Sequence, residues 1–319
     1  MRSFIKKFIQ FSTILFVMLT MGAFMPPTPR ASTSHFFAKL MKDSLLENVA
    51  SPRLILIGGS NLSLTINSQL LKDSLGFNPI NTAISWNIGF VYMFDNTLEY
   101  VRPGDVIVAS LEYNQFYNKA MFGGPDLVRT IFDVSPDDIF TLRREHYPYI
   151  VHNLPYYSTT KFKPTEYIFK RNPAEIYERD AFNQYVDICK HWSLSSRIVD
   201  PEEPLPAKYD KQAFEILSEF KSAIERKGAL LLITFPALQR SSFKSQEAGI
   251  KEIEKEFKRM NFILVGTPER YVMPDSLLFD TPYHLIKAGV DLRTKLLIAD
   301  LKLALKKQRM LSSPPIKRL

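Results

Sequence analysis

Three residues in this chain have the chemistry of acyl transfer. Ser60 directly follows Gly58-Gly59 in the stretch LILIGGSNLSLTINS, Leu54 to Ser68. Asp280 and His284 stand in FDTPYHL, Phe279 to Leu285. A serine hydroxyl is a poor nucleophile until a neighbouring base takes its proton, and that base is usually a histidine oriented by a carboxylate. The chain order Ser, Asp, His is one that α/β hydrolytic enzymes use. Each piece also has a plainer reading. Ser60 can be only a helix N-cap, and D-x-x-x-H can be an ordinary turn with a capping aspartate. A phosphate-cradling loop is disfavoured, because no Lys-Ser/Thr pair follows at Walker spacing and there is no G-x-G-x-x-G.

These residues need elements to hold them. Leu54 to Ile57 is an unbroken apolar run closed by two glycines, which reads as a buried parallel strand ending in a tight turn. Ser60 then lies at the carboxyl end of a strand and the amino end of a helix. Ligands bind at that position in open α/β sheets, and the helix end favours developing negative charge. A helix is expected over about Ser63 to Leu75, a breaker at Gly76 to Pro79, and a short strand over Ile80 to Ser85. A helix over Val91 to Val101 and a strand over Val106 to Ala109 follow. The order β-α-β-α-β argues for a parallel, doubly wound sheet. The rhythm returns with a helix over Asp210 to Lys227, a strand over Ala229 to Thr234, a helix over Ser245 to Met260, a strand over Asn261 to Val265 and a long helix over Leu285 to Lys306. Oxyanion donors would come from the Ser60 N–H, a backbone N–H of the Asn87-Ile88-Gly89 loop and the Asn114 amide, all just beyond expected strands. Gly89 and Asn114 can equally be turn residues.

Residues 118–206 read as an insertion rich in aromatics and prolines. It forms either one wall of the substrate site, where rings would stack on sugars, or simply local core. The chain carries 41 Lys+Arg against 33 Asp+Glu, a formal +8, but the basic residues are scattered, so nucleic acid is not an expected partner. That balance equally suits an anionic membrane surface or acidic glycans. One cysteine, Cys189, rules out an internal disulfide and any cysteine-based metal cluster. The other histidines, His35, His146, His152 and His191, show no metal-ligand spacing, and no metal or cofactor is expected.

Arg2, Lys6 and Lys7 precede an apolar stretch from Phe8 to Met25 that ends at Pro26-Pro27. Residues 1–30 therefore read as an uncleaved membrane anchor, with a cleaved secretory signal and a buried helix as alternatives. The flanking charges place the amino end in the cytoplasm and residues 31–308 outside the cytoplasmic membrane. Residues 309–319 read as a loose basic tail.

Taken together, Ser60 in GGSN, Gly89 in NTAISWNIG, Asn114 in SLEYN and Asp280/His284 in DTPYH resemble, in order, the four blocks of the SGNH (GDSL-like) hydrolase superfamily. The resemblance covers about residues 52–120 and 227–305. Glu112-Tyr113 and Tyr283-His284-Leu285 make it most similar to the membrane-anchored branch linked to cell-surface polysaccharide O-acylation. The resemblance implies a three-layer α/β/α sandwich, with Ser60 as nucleophile, Gly89 and Asn114 as oxyanion donors and the Asp280–His284 pair as base. It implies ester hydrolysis or acyl transfer, most simply of acetyl, on an extracytoplasmic polysaccharide, with a membrane O-acyltransferase as a partner. The alternative is a non-catalytic relative that binds glycan or assembles with the acyltransferase. Three departures stand out: GGSN replaces G-D-S, E-Y-N replaces G-x-N, and Asp280 and His284 are separated by three residues rather than two.

Overall fold

The computed structural model of the chain describes residues 1–172 and 174–312. An apolar helix, α1 (Arg2–Phe24), comes first. It is followed by α2 (Ala38–Asn48), β1 (Arg53–Gly58), the single turn α3 (Ser60–Ser63), α4 (Ser68–Leu75), β2 (Asn78–Asn81), α5 (Phe90–Tyr100) and β3 (Val106–Ser110). The insertion holds short 3-10 turns and a π turn, Thr130–Val134, around α6 (Pro125–Arg129) and α7 (Tyr147–Thr160). Then come α8 (Lys211–Arg226), β4 (Leu230–Thr234), β5 (Leu238–Gln239), α9 (Arg240–Arg259), β6 (Leu264–Val265), β7 (Val272–Met273) and α10 (Lys287–Ser312).

The strands pair in parallel in the order β2-β1-β3-β4-β6, and β5 and β7 form a separate parallel pair. This is a doubly wound sheet whose order reverses between β1 and β3, the kind of boundary where such sheets bind ligands. Register places Gly58 beside Ser110, and Ser110 beside Thr234, so the three central strands end level. Alternation along the strands divides the core. Ile55, Ile57, Ile107 and Ile233 pack with Phe90, Phe94, Phe214 and Phe257 of α5, α8 and α9. Leu54, Leu56, Val108 and Leu232 pack with Leu71 of α4 and Leu297 and Leu301 of α10. Each such side chain, fully buried, contributes on the order of 1.5–3 kcal/mol.

At the opposite end of the strands, Arg53 donates to both oxygens of Asp105, at 2.9 and 2.5 Å. Its remaining donors reach Leu46 O and Tyr100 O. Neither side chain of this pair is exposed.

Several expected boundaries move, for local reasons. The helix expected over 63–75 is two helices, because the Asn67 side chain caps a new one at the Leu70 N–H (3.3 Å) and the Asn67 N–H donates to Thr294 Oγ1 (3.0 Å). Gly76, at φ +74°, ends α4 in the left-handed region. The second strand is Asn78–Asn81 rather than 80–85: Asn81 Oδ1 accepts the Ala83 N–H and turns the chain away from β1. The last helix runs on to Ser312, so the expected loose tail is helical over residues 309–312; residues 313–319 lie outside those described.

Candidate active site

Ser60 is the first residue of α3, immediately beyond β1. The two preceding glycines serve close approach rather than positive φ. A Cβ on Gly59 would lie 2.7 Å from Trp86 N and 2.8 Å from Glu112 Oε1, and one on Gly58 would press on Ser110 O. Ser60 is thereby pinned against the segment after β2 and the segment after β3.

The Ser60 hydroxyl donates to Glu112 Oε1 at 3.5 Å. The same carboxyl oxygen accepts the Asn61 backbone N–H and the Asn61 side-chain N–H, both at 3.2 Å. Asn61 is held in turn: its Nδ2 also donates to Ser110 O, and its Oδ1 accepts the Ser110 hydroxyl, which accepts from the buried Arg293 of α10. The Glu112 N–H donates to Gln115 Oε1, and Gln115 Nε2 donates to Trp86 O. Burial raises the pKa of the Glu112 carboxyl, against the opposing pull of the nearby His284 and the Asn61 donors. In the sequence Glu112 stands out only among the residues of the resemblance. The signal available was an acid two residues beyond an apolar strand.

His284 and Asp280 meet within one small loop. The Phe279 N–H donates to His284 O at 2.9 Å, and Leu278 and Leu285 form an antiparallel bridge across its base. This closure offsets the three-residue separation and brings His284 Nδ1 to 2.7 Å from Asp280 Oδ1. The other oxygen, Oδ2, accepts Tyr177 OH at 2.6 Å, and that hydroxyl also lies 3.3 Å from His284 Nδ1. Burial works against ionisation of Asp280. The hydrogen bond and charge of His284, the Tyr177 bond and Arg197 outweigh it and hold the carboxyl below its usual pKa. With Nδ1 engaged, Nε2 is the nitrogen left to act on a substrate. Tyr177 comes from the insertion, which no local pattern ties to Asp280.

Ser60, Glu112, Asn114, Trp86, Tyr177 and His284 all line one cavity of about 1020 Å³. Phe36, Tyr157, Phe169 and Tyr283 add to its wall. Of the sequence-expected residues, Ser60, Asn114 and His284 are on that lining, and Asp280 stands behind His284. Asn114 Nδ2 is directed to Glu202 Oε2 at 3.5 Å. Gly89 is not brought to the cavity. Its N–H donates to Trp86 O at 3.0 Å, and its Cα, at φ +84°, is pressed against the Met121–Gly123 backbone. Of the segment after β2, Ile84, Ser85 and Trp86 are on the cavity lining; Trp86 N lies close against Gly59, and as the first N–H of a 3-10 turn it has no intraturn partner. The buried His191 is engaged by backbone. His191 Nε2 bridges Leu64 O and Leu285 O, and burial pulls the pKa of His191 down to about 4. Among the described residues no group of three or more His, Cys, Asp or Glu is arranged to hold a metal ion.

No family model and no curated protein matches the chain. Among solved structures, a crystal structure of protein YxiM from Bacillus subtilis matches at 13% identity and a TM-score of 0.37. The match covers 80% of this chain and 57% of that one, so the chain spans a little over half that protein's length.

Proposed function

We propose that the chain is a serine-dependent acyl hydrolase or transferase. The observation that carries this reading is the Tyr177–Asp280–His284 relay, whose Tyr177 and His284 line the same cavity as Ser60 at the carboxyl ends of the central strands. In the proposed cycle Ser60 Oγ bonds to the acyl carbon as its proton passes to His284 Nε2. Collapse of the tetrahedral intermediate breaks the ester, and the leaving alkoxide takes the proton from His284. A water or a sugar hydroxyl then gives His284 its proton as its oxygen bonds to the acyl carbon; the Ser60 Oγ–acyl bond breaks, and Ser60 Oγ takes the proton back from His284, restoring both groups. The Ser60 N–H and the Trp86 N–H supply the oxyanion donors, with Trp86 in the place expected of Gly89, and Asn114 contributes from the 3-10 turn after β3.

The substrate class follows from the sequence resemblance: an O-acyl ester, most simply acetyl, on an extracytoplasmic polysaccharide, with α1 holding the domain at the cytoplasmic membrane and a membrane O-acyltransferase as partner. α1 is long and apolar enough to cross a membrane. The cavity's volume suits a sugar unit, and its aromatic wall suits sugar rings.

The test is labelling of the full chain by a fluorophosphonate probe, with aryl acetate hydrolysis as second readout. Labelling at Ser60 that disappears in Ser60→Ala and in His284→Ala, with a hydrolysis loss of roughly 10⁴-fold or more, is expected. Hydrolysis unchanged in Ser60→Ala would overturn the reading. One observation favours a rival. The hydroxyl of Ser60 is bonded to a buried carboxyl rather than to the imidazole, as suits a non-catalytic glycan-binding or assembly protein. Wild-type protein that binds glycan and takes no probe would establish that rival.

A further inference from the structure

The end of α1 is built into the domain. From Phe8 to Met21 its side chains are exposed apart from the half-buried Leu19. At Gly22 it meets α7 so closely that a Cβ would lie 2.5 Å from Ser158 O and 3.0 Å from Phe162 Cε2. Ala23 is buried, and the Phe24 ring stands edge-on to Phe132 at 6.3 Å. The next residues are fastened to one segment of the insertion, 161–171, KFKPTEYIFKR. Lys161 Nζ donates to Pro26 O (3.2 Å), Thr28 Oγ1 donates to Glu166 Oε2 (2.9 Å), and the Arg30 N–H donates to Glu166 O (3.1 Å).

That segment interleaves exposed apolar and cationic side chains. Ile168 is 83% exposed, and Phe162 and Tyr167 stand out beside it. Lys163 is exposed and lies 5.1 Å from the ring of the equally exposed Tyr156. Lys170 and Arg171 complete the outward charge, Arg171 being shared with Glu178 and Asp180, while Lys161 is turned inward onto Asp133. Aromatic rings beside lysines and arginines, next to the end of an apolar helix, match the composition of the zone between water and hydrocarbon. Their charge is complementary to anionic lipid headgroups.

We propose that segment 161–171, together with Tyr156, lies on the surface of the anionic bilayer that α1 enters. The surface contact does not need acyl chemistry. Its consequence for the substrate does rest on the function proposed above. Lys161, Glu166, Lys170 and Arg171 are on the lining of the cavity that Ser60 and His284 share, so the cavity opens at headgroup depth. The acyl ester it takes is then one held at the membrane, such as a lipid-linked glycan, rather than a freely diffusing sugar.

The experiment uses the full chain in nanodiscs of phosphatidylcholine with phosphatidylglycerol, carrying a headgroup-nitroxide lipid. A fluorophore is placed by Ile168→Cys or Tyr156→Cys in a Cys189→Ser background, with Lys255→Cys on α9 as reference. Quenching at 168 and 156 greater by roughly twofold or more than at 255 is expected. It should fall in pure phosphatidylcholine discs and in Lys163→Glu/Lys170→Glu. Equal quenching at 168, 156 and 255 overturns the contact, and would instead fit a protein partner on this face. Quenching indifferent to lipid charge and to the two substitutions overturns the anionic preference. Ser60 labelling measured in the same discs reports separately on the chemistry, so failure of one reading is not failure of the other.

Discussion

The hydroxyl of Ser60 and the carboxyl of Glu112 face each other at 3.5 Å across the boundary between β1 and β3. Both stand two residues beyond a paired position, Gly58 beside Ser110. An ionised Glu112 at that distance repels charge developing on an oxyanion, whereas a protonated one can donate a hydrogen bond. In the proposed cycle its protonation state therefore decides whether the site assists or resists attack by Ser60.

Glu112→Gln tests this through pH. The ordinary carboxyl value is 4.5, and burial raises the folded value above it. Below 4.5 the group is protonated in both states and costs the fold no charge burial. As pH rises through the folded value the native state must bury a charge, and stability is lost, because the folded form holds its proton longer than the unfolded one. Glutamine removes that loss. The Tm of Glu112→Gln should therefore gain on wild type as pH rises from about 4 to 8. The acyl-transfer rate of wild type should decline over that range relative to the variant. Parallel Tm curves across the range would disprove the linkage.

Tyr177→Phe removes the donor to Asp280 Oδ2 while keeping the ring. A hydrogen bond to a charged group contributes about 1.5–3 kcal/mol, so kcat should fall roughly tenfold or more. Asp280 loses one of the influences that hold its pKa down. The acid limb of the rate profile should accordingly move to higher pH. A fall in kcat with an unmoved acid limb would make Tyr177 a packing residue only.

Asp105→Ala probes the fold at the end of the sheet opposite the site. It strips a fully buried arginine of its ionic partner, and breaking such a pair costs about 3–5 kcal/mol. Chemical denaturation should show that loss in full. Probe labelling of Ser60 in the folded fraction should stay at the wild-type level, since Arg53 and Asp105 lie at the amino ends of β1 and β3. Unchanged stability would contradict the buried pair.

How far the site was legible varies residue by residue. The strand that delivers Ser60 is an apolar run with a glycine pair, and local pattern suffices to find it. Gly89 lies off the cavity lining, and a glycine in a loop has two uses that local pattern does not separate. Here its positive φ and bare Cα serve packing on Met121–Gly123, and the backbone N–H that lies against Gly59 falls three residues earlier, at Trp86. The helix expected over 63–75 was too long because its break depends on Thr294, which accepts the Asn67 N–H from a distant helix.

The parallel alternation of strands and helices, the apolar first helix, and an aspartate and a histidine close enough to share one loop are all written in the order of residues. Those features depend on neighbours within a few positions, where periodicity and turn chemistry act. That Glu112 meets Ser60, and that Tyr177, 103 positions before Asp280, holds it, comes from the folded arrangement of the chain. Such meetings are set by strand order and by where an irregular insertion folds back, and no local spacing encodes either.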